Sequence, residues 1–96
     1  MDKALAAKVR EAVARLAGLH PGKTLEFRVP PYAAAQVGSA QRGAHTRGTP
    51  PNLVETDAET FLALCAGSVT WDAALADHRV RASGPHTDIG GWFPLG

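Results

Sequence analysis

Two prolines in a row, Pro30 and Pro31, stand directly behind an alternating stretch. From Thr24 to Val29, Leu25, Phe27 and Val29 fall on one side and Glu26 and Arg28 on the other, the period-two pattern of a strand with one face in a core. Proline has no amide hydrogen to give to a ladder, so this strand must end, bend or lie on an edge there. Tyr32 to Val37 can resume extended structure. From Gly38 to Asn52 the chain is polar and rich in Gly and Pro, which predicts a long connection with at most a short strand inside it.

Ahead of the strand, Leu5, Val9, Val13 and Leu16 recur in steps of four, four and three, the apolar stripe of an amphipathic helix over Asp2 to Ala17. Asp2 is its predicted N-cap and Gly18 its predicted stop. His20, Pro21 and Gly22 make a turn. Beyond the long connection, Leu53 to Thr56 reads as a short strand running into Asp57, a good N-cap, with Glu59 where the helix dipole favours a negative charge. The helix that follows carries Phe61, Leu64 and Cys65 and stops at Gly67. Thr70 caps a second short helix with Trp71, Ala74 and Leu75, and Asp72 sits in its first turn. Arg79 to Ser83 alternates again, with Val80 and Ala82 expected inward, until Gly84 and Pro85 break it. No strand alternates with long helices as a doubly wound parallel sheet requires, so the expected class is α+β, a sheet with helices on one face.

At 96 residues the chain has the length of a single domain, 1–96. Its 43 hydrophobic residues include 18 alanines, which leaves 24 large ones and Cys65 to fill a core. A fold of this size buries only about 60–65% of its unfolded surface, so a ligand or a second subunit could help fill the interior. Trp92, Phe93 and Leu95 cluster within five residues of the end, where domains are usually polar and frayed.

The net charge of +1 lacks the basic surplus of a dedicated nucleic-acid binder. Positions 1–48 hold eight basic and three acidic residues and positions 49–96 two and six, +5 against −4. The plainest consequence is two halves that fold together and intermix their charges. A lone Cys65 forms no intrachain disulfide, and neither a signal peptide nor a membrane-spanning run is visible, so a cytoplasmic protein is expected.

Chemistry-bearing patterns are sparse. Gly90 and Gly91 belong to no phosphate-cradling glycine motif. His20, His45, His78 and His86 never fall at ligand spacing with one another or with the cysteine, so no metal site and no cofactor is expected. Cys65 sits on the apolar side of its helix, where a thiol behaves as a small hydrophobe; an enzyme built on it remains a rival reading. Glu55, Asp57 and Glu59 are explained by capping and solvation. In RGAHTRGTPPN, residues 42 to 52, Arg42, His45 and Arg47 could meet an anionic head group, with Pro50 and Pro51 stiffening the return; the same residues also suit a solvated crossover that pairs with the acidic second half.

The apolar residues suit a pocket between layers, since small-ligand pockets are mostly apolar clefts with a few polar groups at the mouth. The stretch VETDAETFLALCAGSVTWDAALADHRVRASG, Val54 to Gly84, resembles the carboxyl-terminal signature of the sterol carrier protein, or non-specific lipid-transfer, family: an acidic cap at Asp57, then Phe61 and Leu64, Gly67, the pair Ala74 and Leu75, Val80 and the closing Gly84. RVPPYAAAQ and HTRGTPPN are similar to the small bacterial branch of that family and to the module fused behind mycothiol-dependent transferase domains. The matching segments are spread over 57 of the 96 residues, from Arg28 to Gly84.

The resemblance implies a five-stranded, mainly antiparallel sheet with helices over one face and an apolar tunnel between them that accepts fatty acyl or sterol-like molecules. This chain is shorter than the family's typical domain, and no catalytic module is expected. The expected role is that of a non-enzymatic carrier holding a lipid or sterol-like ligand against Phe27, Val29, Phe61, Leu64, Trp71, Leu75, Trp92 and Phe93, with Arg42, His45 and Arg47 at a polar mouth. The alternative is an interaction module with a filled core that docks on a partner, or on a second copy as a homodimer, through the tail Trp92 to Leu95.

Overall fold

The structure is a computed structural model and describes residues 2–39 and 52–95. Helix α1 spans Lys3–Leu19, strands β1 and β2 Leu25–Val29 and Ala33–Val37, and β3 Asn52–Thr56. Helices α2 and α3 follow at Ala58–Ala66 and Trp71–Ala76, then β4 at Val80–Ser83 and a single 3₁₀ turn at Gly90–Trp92.

Asp2 caps α1, its Oδ1 accepting from the Leu5 amide at 3.0 Å, and Ala6, Val9, Val13 and Leu16 form the buried stripe. The helix does not stop at Gly18. It runs on to Leu19, and the His20 amide donates to the Leu16 carbonyl at 2.9 Å. Pro21 is the true stop, because the residue before a proline is pushed out of the helical region.

The paired prolines end β1 in a tight hairpin, closed by the Tyr32 amide donating to the Val29 carbonyl at 2.9 Å. β1 is nonetheless no edge. The sheet order is β2-β1-β3-β4, and Leu25, Phe27 and Val29 are fully buried while Glu26 and Arg28 stay half-buried on the other face. Four strands stand where about five were expected among the described residues, and the sheet is mixed. β1 pairs antiparallel with β2, β3 pairs antiparallel with β4, but β1 and β3 are parallel. The cause is the chain path. The hairpin returns β2 to the end of the sheet where β1 began, and β3 starts at that same end: Leu25 stands opposite both Val37 and Asn52.

The inward residues of β1 and β3 join Val9, Val13 and Leu16 of α1 and Phe61 and Leu64 of α2 in one core. Each large side chain taken fully from water here contributes about 1.5–3 kcal/mol. Alanine takes up little room, and Ala33 and Ala35 of β2 lie partly buried against this core beside α1. The buried Asn52 side chain is satisfied twice, donating to the Thr24 carbonyl and accepting from the His86 amide, each at 2.9 Å. It thereby ties the start of β1 to the chain beyond β4.

Gly67 ends α2 with φ +80°, and the Ser68 amide donates back to the Ala63 carbonyl at 2.9 Å, a left-handed cap that suits glycine. Of the inward pair expected on β4, Val80 is buried but Ala82 is exposed. Ala82 lines an open cleft with Trp71, Leu75 and Thr87, so the space above it is left unfilled. The two halves of the chain do interleave, with Arg28 of β1 next to Glu55 of β3 in register. Among the described residues the ion pairs nevertheless form within each half, Arg28 with Glu26 and Arg81 with Glu55.

Candidate functional site

A run of aromatic rings leads from the sheet to the surface. Phe27 of β1 meets Phe61 of α2 with ring centres 5.1 Å apart. Phe61 meets Phe93 edge-on at 6.5 Å, and Phe93 stacks on Trp71 of α3 at 6.1 Å, the planes 13° from parallel. Offset and edge-to-face contacts of this kind add to the burial that brings the rings together.

The closing segment of the chain is strapped over this run. Leu95 donates its amide to the Cys65 carbonyl at 3.1 Å, and Trp92 donates to the Ile89 carbonyl at 2.9 Å. The Trp92 indole lies flat on the His20 ring, centres 4.2 Å apart. Gly90 passes so close to Trp71 that a Cβ there would lie 2.8 Å from Cδ1; only glycine allows that approach.

Where the strap crosses α2 and α3, an open cleft of about 460 Å³ remains, lined by Leu64, Gly67, Trp71, Gly90, Phe93 and Pro94, with Thr70, Asp72 and Asp88 among its polar groups. A neighbouring cleft of about 290 Å³ shares Trp71, Asp72 and Asp88 and adds Leu75, Ala82 and Thr87.

The structure divides the residues expected to hold a ligand. Trp71 and Phe93 line the larger cleft and Leu75 the smaller, while Leu64 borders the larger one from the buried side. Phe27, Val29 and Phe61 have no solvent exposure and sit inside the packed core, so they form the floor beneath the cleft and not its wall. Trp92 is turned toward His20. Arg42, His45 and Arg47 lie outside the described residues. Sequence reasoning missed Asp72, Asp88, Gly90 and Pro94 as cleft residues. No local pattern marks them, since they meet only once the tail folds back over α3.

Nucleophilic chemistry at Cys65 is disfavoured. Burial pushes its thiol up to about 11, and the thiolate is the reactive form. Among the described residues no cluster of His, Cys, Asp and Glu could hold a metal ion. A third cleft, about 350 Å³, lies between Pro30, Asp57, His78, Arg79 and Arg81, and two of its charged groups, Asp57 and Arg79, are engaged in structure. The Asp57 carboxylate accepts from the Thr60 amide and hydroxyl, both at 2.8 Å, and Thr60 Oγ1 accepts from Arg79 Nε at 3.1 Å.

Burial alone would raise the Asp57 carboxyl, but the Thr60 hydrogen bonds and the nearby Arg79 outweigh it and hold the group below the ordinary carboxylate value. A carboxyl lowered on folding stabilises the fold above its unfolded value, about 3.9, and this contribution is lost as pH falls through the folded value. Asp57→Ala is therefore expected to cost about 1–2 kcal/mol at pH 7. Urea unfolding should show the gap to the parent narrowing below about pH 4; a gap constant with pH would contradict this.

Residues 2–95 match the family described as bacterial SCP ortholog. The chain belongs to that family. No curated protein matches it. Membership of this sterol carrier protein-like family suggests a lipid-binding carrier role. Among the described residues of this SCP-family chain, no helix is long and apolar enough to cross a membrane. Seven positions of the Val54–Gly84 signature have clear places in the fold. Asp57 caps α2, Phe61, Leu64 and Ala74 are wholly buried, Gly67 and Gly84 take positive φ, and Val80 anchors β4.

Proposed function

We propose that this chain is a non-catalytic carrier that holds an apolar, lipid-type molecule in the cleft between α2, α3 and the closing segment 89–95. The single observation that supports it best is the aromatic floor of that cleft, where Trp71 and Phe93 are stacked and backed by Phe61. A greasy chain laid on this floor gains about 0.8 kcal/mol for each methylene removed from water. The space between sheet and helices is occupied by Phe27, Val29 and Phe61, so a guest enters from the strap side. The strap is attached through ring stacks and a few hydrogen bonds, and it yields before the sheet does. Trp92, stacked on His20, and the Leu95 amide hold it in place.

That filled interior also favours a second reading, an interaction module docking on a partner or a second copy. Incubation with fatty acids, fatty acyl thioesters and sterols, followed by native mass spectrometry, separates the two. A carrier retains at least one of them at one molecule per chain. Uniform absence of retained ligand, together with a mass that doubles on concentration, would favour the interaction module.

A further inference from the structure

We propose that the cleft over Trp71 and Phe93 selects its guest by head-group charge, taking an apolar chain with a cationic head ahead of one with a carboxylate. This rests on the carrier reading and adds the chemical class of the guest.

The larger cleft pairs an aromatic floor with two carboxylates, Asp72 and Asp88, and among its described lining residues there is no lysine, arginine or histidine. The smaller cleft is bordered by the same two carboxylates and likewise has no basic residue. Neither carboxylate has a basic partner within ion-pair distance among the described residues. Asp88 Oδ1 does accept from the Gly90 amide at 3.3 Å, a long hydrogen bond that supplies no counter-charge. The arginines of the second half lie elsewhere. Arg79 and Arg81 border the third cleft, which lacks an aromatic floor and is shared with Glu55 and Asp57. A carboxylate head seated over Trp71 would thus face two like charges and no donor cation, while an ammonium would face two counter-charges.

An exposed carboxylate about 6 Å from a unit charge changes an affinity by a factor of about three in water, and two of them act in the same direction. The test uses three probes with one chain, dodecyltrimethylammonium, dodecanol and dodecanoate, at pH 8, the two ions below their micellar concentrations and the alcohol below its solubility, followed by tryptophan fluorescence. At 10 mM salt the ammonium is expected to bind at least about ten-fold more tightly than the carboxylate, with the alcohol between them. This preference should shrink severalfold at 0.5 M salt, where charges are screened over a few ångströms.

In the double variant Asp72→Asn, Asp88→Asn, the ammonium and carboxylate affinities should converge on each other, and their order relative to dodecanol should no longer depend on salt. The salt series on the parent gives the same answer should the variant fail to fold. Equal binding of ammonium and carboxylate, tighter binding of carboxylate, or a preference untouched by salt would overturn the charge selection. If dodecanol still binds in those cases, the carrier reading survives. If none of the three binds, both fall together.

Discussion

Phe61→Ala is expected to lower the unfolding free energy by about 3–5 kcal/mol, as the removal of a fully buried phenylalanine ring does when the cavity cannot collapse. The ring has no solvent exposure and links two members of the aromatic run, Phe27 below and Phe93 above. Collapse is resisted because the sheet beneath is held by three strand pairings and α2 is pinned at both ends, by Asp57 and by Gly67. For a domain of this size each kcal/mol is worth about 4–8 °C in Tm, so thermal unfolding should begin more than about 12 °C earlier. The loss should also reach the strap, because Phe93 loses the edge it rests on, and the Trp emission should shift to the red before global unfolding. A cost under about 1 kcal/mol would mean that the ring is not the joint between core and cleft.

Gly22→Ala is the second large effect. Gly22 has φ +142°, and a Cβ there would be driven into the backbone carbonyl of Gly38, which no side-chain rotation can move aside. That carbonyl already accepts from the Thr24 amide at 3.1 Å, while the Gly38 amide donates to the His20 carbonyl at 2.7 Å, so the two segments cannot separate without breaking the bonds that join the end of α1 to the end of β2. Strain of this kind costs at least about 2–3 kcal/mol. Gly18→Ala is the control. Gly18 lies inside α1 with nothing within 4 Å of the added carbon, and alanine there should raise stability by about 0.5–1 kcal/mol. Urea unfolding of the pair is expected to give opposite signs. The same sign for both would show that the clash at Gly38 is relieved by a shift.

The contrast between these glycines also shows what the sequence can disclose. Local signals were legible: Asp2, Asp57 and Thr70 accept from the amides three residues on, as their positions before apolar helices imply, and the alternation of β1 put Leu25, Phe27 and Val29 inward. Gly18 misled because a glycine near a helix end looks like a stop, whereas the proline three residues later decides the matter. The parallel pairing of β1 with β3 was not legible, because strand direction depends on the path taken by the chain between Val37 and Asn52 and no periodicity records it. The cleft was half legible. Trp71, Leu64 and Phe93 stand out by type, but Asp72, Asp88 and Gly90 acquire their place only from the fold of the tail. Phe27 and Val29 were expected at a ligand and are core residues for the same reason: burial on the inner face of a strand looks alike whether the neighbour is a guest or a phenylalanine.

The most direct test is an amide-resolved NMR titration of the full chain with dodecanol. A guest lying on the aromatic floor should shift the resonances of Leu64, Gly67, Gly90 and Phe93 and the Trp71 indole N–H, saturating at one molecule per chain. Shifts centred on the polar face of the sheet, around Glu26, Arg28 and Glu55, or no saturable shifts at all, would contradict a guest site between α2, α3 and the closing segment.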